Sequence, residues 1–192
     1  VGIVAGDFTN TNPNCTNVEF KIVDGTLKIN PITENTITIT ANSASKTYDG
    51  TPLTDGGFSF TEGVLVTGDV LTAVVEGSAT NVGDEGKNVV KSYKVMRGDV
   101  DVTGNYTFGN SIDGKLTINK RTVTLTSETA SKEYDGTPLT KPNVTVGGDG
   151  FVAGEVSDIK ATGSVTFVHE GEVTNAITYT TGANFDEKNY TI

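Results

Sequence analysis

The sequence predicts an all-β chain built from tandem copies of a small repeat, and three observations carry that expectation. Ala44–Thr54 (Ala-Ser-Lys-Thr-Tyr-Asp-Gly-Thr-Pro-Leu-Thr) returns 86 positions later as Ala130–Thr140 with one change, Glu133 in place of Thr47. An echo at that distance is too long for a solenoid unit and fits repetition of a whole small domain. Short runs alternate apolar residues with threonine, as in Thr36–Thr40 and Thr122–Thr126. That pattern suits strands with one face buried and one face wet. No stretch sustains a 3.6-residue apolar period, and Asp-Gly pairs and other turn residues punctuate the runs.

Taken in order, Phe20–Asn30 alternates on both sides of Asp24-Gly25, a hairpin signal, and Ile112–Asn119 repeats it around Asp113-Gly114. On this reading residues 1–30 are the closing hairpin of a preceding repeat. Residues 31–119 form a first full module, and 120–192 a second module lacking its last strand. The linkers Asn30–Asn35 and Lys120-Arg121 are short, so modules are expected end to end as a semi-rigid rod. Further strands are expected at Phe58–Phe60, Leu71–Val75, Val89–Val95 and Asn105–Phe108. In the second module they fall at Val144–Val146, Ser164–Val168, Val173–Tyr179 and Asn189–Ile192.

Within the echoed element, Asp-Gly supplies a turn with positive φ and Pro restrains its exit, while Tyr48 and Tyr134 plug the core edge. Each module is expected to be a small Ig-like β-sandwich, with a β-grasp-like fold as the alternative. An orphan closing strand in residues 20–30 and an unfilled strand position in the second module predict head-to-tail strand complementation between chains.

Four segments together resemble the YDG/MBG-type repeats of large bacterial surface proteins. They are Ser-Lys-x-Tyr-Asp-Gly-Thr-Pro-Leu-Thr, Gly68-Asp69-Val70-Leu71, Gly104-Asn105-Tyr106-Thr107 and Asp113-Gly114-x-Leu116-Thr117-Ile118. The resemblance covers nearly the whole chain. Val82-Gly83-Asp84-Glu85 departs from the usual Val-Gly-Thr-Tyr, and Asn14-Cys15-Thr16 only loosely matches Asn-Tyr-Thr. The resemblance implies many copies in a long exported protein, often held on a Gram-positive wall. It implies a non-enzymatic stalk or adhesin role, with adjacent repeats as partners and a host glycan or protein as the alternative ligand. It implies no catalytic residues and no cofactor.

The formal charge is −10, spread along the chain. Nucleic acid and anionic membranes are therefore disfavoured partners, because no basic patch is available to neutralise phosphate. Cys15 is the only cysteine, so no intrachain disulfide can form.

His169, flanked by Glu170 and Glu172, is the only histidine, and no nucleophile-elbow motif accompanies it. A surface-loop role is expected for it rather than a catalytic or metal-binding one. Asp99, Asp101 and Asp113, and likewise Asp186-Glu187, form carboxylate-rich loops where Ca²⁺ is conceivable, but no EF-hand spacing is present. The sequence has no glutamine, which removes Cys–Gln thioester and Thr–Gln ester crosslinks. A Lys–Asn isopeptide bond through Lys46 or Lys132 stays open. The Asn-x-Thr sites at Asn14, Asn105, Asn143 and Asn189 follow from a Thr/Asn-rich β composition, with Asn105 and Asn189 expected inside strands.

Overall fold

The threonine-alternating runs become strands, and the described residues contain no α-helix, only short 3-10 turns. The computed structural model describes residues 9, 11–14, 19, 21–61 and 65–192. No described helix is long and apolar enough to cross a membrane.

A first set of strands comprises β1 (Ile32–Ile37), β2 (Ile39–Ala41), β3 (Ala44–Thr47), β4 (Phe58–Phe60), β5 (Val70–Glu76), β6 (Lys87–Arg97), β7 (Val100–Asp101), β8 (Tyr106–Phe108) and β9 (Gly114–Asn119). A second set comprises β10 (Arg121–Ser127), β11 (Leu139–Thr140), β12 (Val144–Gly148), β13 (Val156–Ala161), β14 (Ser164–Val165), β15 (Ile177–Thr181) and β16 (Tyr190–Thr191).

Every described ladder joins strands of the same set, and most ladders occur twice. The antiparallel β5–β6 pair matches β13–β15, and β2–β4 matches β10–β12. The parallel β1–β8 pair matches β10–β16. The Leu53–Ala79 bridge becomes the Leu139–Val165 pair of β11–β14. The short β6–β7 pair and both ladders of β9 have no counterpart. β9 lies parallel to β3, with Ala44 opposite Leu116 and Thr47 opposite Asn119, and also pairs with β6. The matching residues Ala130–Glu133 form no strand.

Several expectations change. Asp113-Gly114 is not a hairpin tip, because β9 pairs with distant strands and Ile112 bridges Thr40. Gly114 is needed for close approach, since a Cβ there would stand 2.0 Å from the Asn42 carbonyl oxygen. Residues 21–30 form no ladder and are exposed throughout, as an isolated two-stranded hairpin without a packing partner has little to hold it. Phe20 and Cys15 lie outside the described residues.

Ile32–Asn35, read as linker, belongs to β1, and Thr38 interrupts the opening strand between β1 and β2. The run Ser164–Val168 yields only the two-residue β14 before a 3-10 turn at Val168–Glu170, and Val173–Tyr179 becomes β15 starting at Ile177. Asn105 and Asn189 end 3-10 turns just before β8 and β16 rather than lying inside strands.

The first set packs around buried Ile37, Ile39, Leu71, Val95 and Tyr106. The second cluster crosses the boundary, taking Tyr48, Ala79, Leu116 and Ile118 from the first set and Val123 and Tyr190 from the second. Burying a side chain of Leu, Ile or Val size contributes roughly 1.5–3 kcal/mol, so this shared core couples the two sets appreciably.

Candidate functional site at the junction between the two strand sets

The echoed element is a local clamp. Asp49 Oδ1 accepts from the Thr51 backbone N–H at 2.9 Å, from Thr51 Oγ1 at 2.7 Å and from Lys46 Nζ at 2.7 Å. Lys46 Nζ also donates to Thr51 Oγ1 and the Pro52 carbonyl. Gly50 closes the turn at φ +78°, a conformation that favours glycine. Asp135, Lys132, Thr137, Pro138 and Gly136 repeat these contacts, with the Lys132–Asp135 bond at 2.8 Å. Each lysine holds its carboxylate well below the usual aspartate range, with the threonine donors adding to the effect. Both lysines are thus engaged in turns, and none of their described contacts is to an asparagine.

The clamp sets the loop that carries Tyr48, and Tyr48 reaches into the other strand set. Its hydroxyl donates to Glu155 Oε1 at 2.6 Å, and the Tyr190 hydroxyl donates to Oε2 of the same carboxylate at 2.6 Å. Glu155 is only 4% exposed, so these two donors supply the hydrogen bonds that a buried carboxylate requires. The rings of Tyr48 and Tyr190 meet edge to face at 5.6 Å, and Phe151 and Phe185 each pack 5.4 Å from Tyr190. Burial first, and then the bond to Glu155, push both hydroxyls up to about 12.

Two further polar links cross the boundary. Arg121, at the start of β10, donates from Nε to the Gly150 carbonyl at 2.6 Å and from its terminal nitrogens to the Tyr48 and Asp149 carbonyls. Asn189 is fully buried, accepting from the Val82 N–H at 2.8 Å and donating to Asn81 Oδ1 at 3.0 Å.

The first set holds a version of the same constellation within itself. Tyr106 donates to Asp69, as Tyr190 does to Glu155, and Val66 N–H donates to Tyr106 as Val152 N–H does to Tyr190. The second carboxylate oxygen differs. Arg97 Nε takes it on Asp69, whereas Tyr48 from the other set takes it on Glu155. The junction therefore forms by replacing an internal partner with one from the neighbouring set.

The residues singled out from sequence behave differently. His169 sits in the Val168–Glu170 turn and stacks on Phe167 at 5.5 Å, and no described contact pairs it with a serine or aspartate. Glu170 accepts from the Thr166 and Phe167 N–H groups, closing that turn, and Glu172 is exposed. Asp101 caps Thr103 and Asp186 caps Lys188, while Asp99, Asp113 and Glu187 are exposed. No group of three metal-ligating side chains occurs among the described residues. Asn14, Asn105 and Asn143 are exposed, whereas buried Asn189 is taken by the junction.

Tyr48 fulfils its expected role, but Tyr134 does not, since it is 63% exposed against 3% for Tyr48. The second set covers Tyr48, whereas Tyr134 stays mostly exposed beside Phe167, ring centroids 6.4 Å apart. The sequence reading does not single out Glu155, and it takes Arg121 only as linker and Asn189 only as an Asn-x-Thr site. The shared Gly-Asp/Glu-Val spacing at Gly68–Val70 and Gly154–Val156 was the available signal for Glu155.

No protein family, curated protein or solved structure matches the chain.

Proposed function

We propose that the chain is a non-enzymatic spacer segment of an exported bacterial surface protein, built of Ig-like β-sandwich modules at residues 31–119 and 120–192. The observation that carries this reading is the Tyr48–Glu155–Tyr190 junction, in which one module's tyrosine completes the buried polar centre of the next. A shared core with a buried carboxylate resists bending, because separating the modules would strip Glu155 of a donor and expose apolar surface together. That is what a stalk requires, and it needs no ligand. The surface location rests on the YDG/MBG resemblance of the sequence. An acidic, cysteine-poor composition is compatible with it.

Spin labels placed at exposed Thr72 and Lys160, in a Cys15→Ser background, test the reading by pulsed dipolar spectroscopy. One narrow distance distribution is expected, broadening in Glu155→Ala. A wild-type distribution as broad as that of the variant removes the spacer mechanism. Specific capture of a glycan or host protein by the isolated chain would replace it with an adhesin role.

A further inference from the structure

We propose that β5 is a self-recognition edge, through which two copies of this chain pair antiparallel over Val70–Val74, symmetrically about Thr72, and join their sheets into one. Among the described residues β5 pairs only with β6, so its outer edge presents main-chain donors and acceptors that no ladder uses. An edge in that state recruits a further strand unless something guards it. The run from Val70 to Val75 carries no charge and is rich in β-branched residues. Val70 and Val74 are 58% and 51% exposed, and Thr72 is exposed between them.

The repeat supplies the comparison. β13 is the counterpart of β5, and it places Ser157, Asp158 and Lys160 where β5 has Leu71, Thr72 and Val74. Asp158 adopts φ +50°, and the ladder to β15 slips between Ser157 and Lys160, with the extra residue on β13 itself. A bulge and charges set into an edge strand turn it away from further pairing. In the β5–β6 ladder the slip at Val74–Val75 falls on the β6 side, at Lys91, so β5 stays regular. One strand position is therefore guarded in the second set and unguarded in the first.

The occupant is a second copy, because the strand is its own complement. Paired about Thr72, Val70 of one copy stands opposite Val74 of the other, and Leu71 opposite Ala73, large against small. Thr72 meets its own copy on the axis, and a Thr–Thr pair across a ladder is stabilising. The two Val70–Val74 contacts remove exposed apolar surface from water. No carboxylate faces another: Asp69, already held by Arg97, falls opposite Val75, and Glu76 falls opposite Gly68. Centring the pair on Ala73 instead sets the charge of Glu76 against Val70, which selects the Thr72 register. A twofold contact uses the same edge on both copies, so association closes at two. The inference rests on β5 and not on the spacer role. A nitroxide at Thr72 blocks the pairing, so the distance test across the Tyr48–Glu155 junction reads single chains and its outcome is independent.

Sedimentation equilibrium over increasing concentration provides the test, at moderate salt so that repulsion between two chains of charge −10 is screened. The wild-type chain is expected to reach dimer mass and stop there. Val74→Lys, which brings the lysine of β13 into β5, is expected to weaken the dimer about tenfold or more. Thr72→Lys and Thr72→Glu, each setting like charges against each other on the axis, are expected to do the same. Mixing the last two variants is expected to restore a one-to-one dimer, because opposite charges then meet at the axis. Unchanged urea midpoints at dilution show that the variants still fold. A wild-type chain that stays monomeric at millimolar concentration, a dimer that survives these substitutions, or a mixture that fails to associate overturns the inference.

Discussion

Tyr48 and Glu155 lie 107 residues apart in sequence and are joined by a 2.6 Å hydrogen bond inside a core that draws on both strand sets. The bond is the point at which a repeated fold becomes a joined pair. Asp69, the counterpart of Glu155, satisfies itself internally with Tyr106 and Arg97. Glu155 has no arginine in that place and depends on a tyrosine from its neighbour.

Removing that donor isolates its contribution. Tyr48→Phe keeps the ring packing but leaves Glu155 Oε1 buried without its tyrosine, at a cost of about 1–3 kcal/mol. Tyr134→Phe removes the same hydroxyl from an exposed ring and is expected to change stability by less than about 0.5 kcal/mol. Urea midpoints of the two variants decide the matter, and equal shifts would remove the junction from the account.

These two tyrosines also show how far the sequence could be read. The motif around them is the same apart from Thr47 and Glu133, and it correctly foretold the Asp-Gly turn, which recurs at φ +78° and +79°. Local chemistry sets that turn, so local sequence is enough to recognise it. Burial depends on what lies opposite, and nothing in the eleven residues records that one copy faces Phe151 and Tyr190 and the other does not. The same limit explains Asp113-Gly114. Its hairpin pattern is genuine, but the ladder that wins is the parallel pairing with Ala44–Thr47, some 70 residues back. The all-β character was legible because alternation is a property of each strand by itself.

Alkaline titration should open the junction selectively. Tyr48 and Tyr190 rise from 10.0 to about 12, so the folded state holds their protons longer than the unfolded chain. A group raised on folding contributes fully below its unfolded value and loses that contribution as the pH passes through the folded one. Thermal stability is therefore expected to be level with respect to these groups below pH 10 and to fall between pH 10 and 12. Tyr48→Phe should flatten part of that fall. A wild-type profile unchanged to pH 12 would contradict the assignment.

The two clamps should titrate alike and independently. Lys46 and Lys132 hold Asp49 and Asp135 below the ordinary aspartate value of 3.8, so the clamps contribute above that pH and weaken as it falls. Carboxyl carbon shifts measured by NMR are expected to put both midpoints clearly under 3.8. Lys46→Met should return Asp49 toward the ordinary value and leave Asp135 in place. Movement of both residues together would mean that the lowering has a source other than the adjacent lysine.

Gly25 and Gly114 occupy the same place in two copies of one pattern but should respond unequally to alanine. A Cβ on Gly114 would fall 2.0 Å from the Asn42 carbonyl oxygen and 2.7 Å from that of Ala41, both backbone atoms that cannot step aside cheaply. Gly114→Ala must push the start of β9 away from Ala41 and Asn42 and is expected to cost about 1–3 kcal/mol. No heavy atom lies within 4 Å of a Cβ built on Gly25, so Gly25→Ala should leave monomer stability within about 0.5 kcal/mol of wild type. Denaturant unfolding of the two variants separates them. Comparable losses at both positions would mean that residues 25–30 already pack within the monomer.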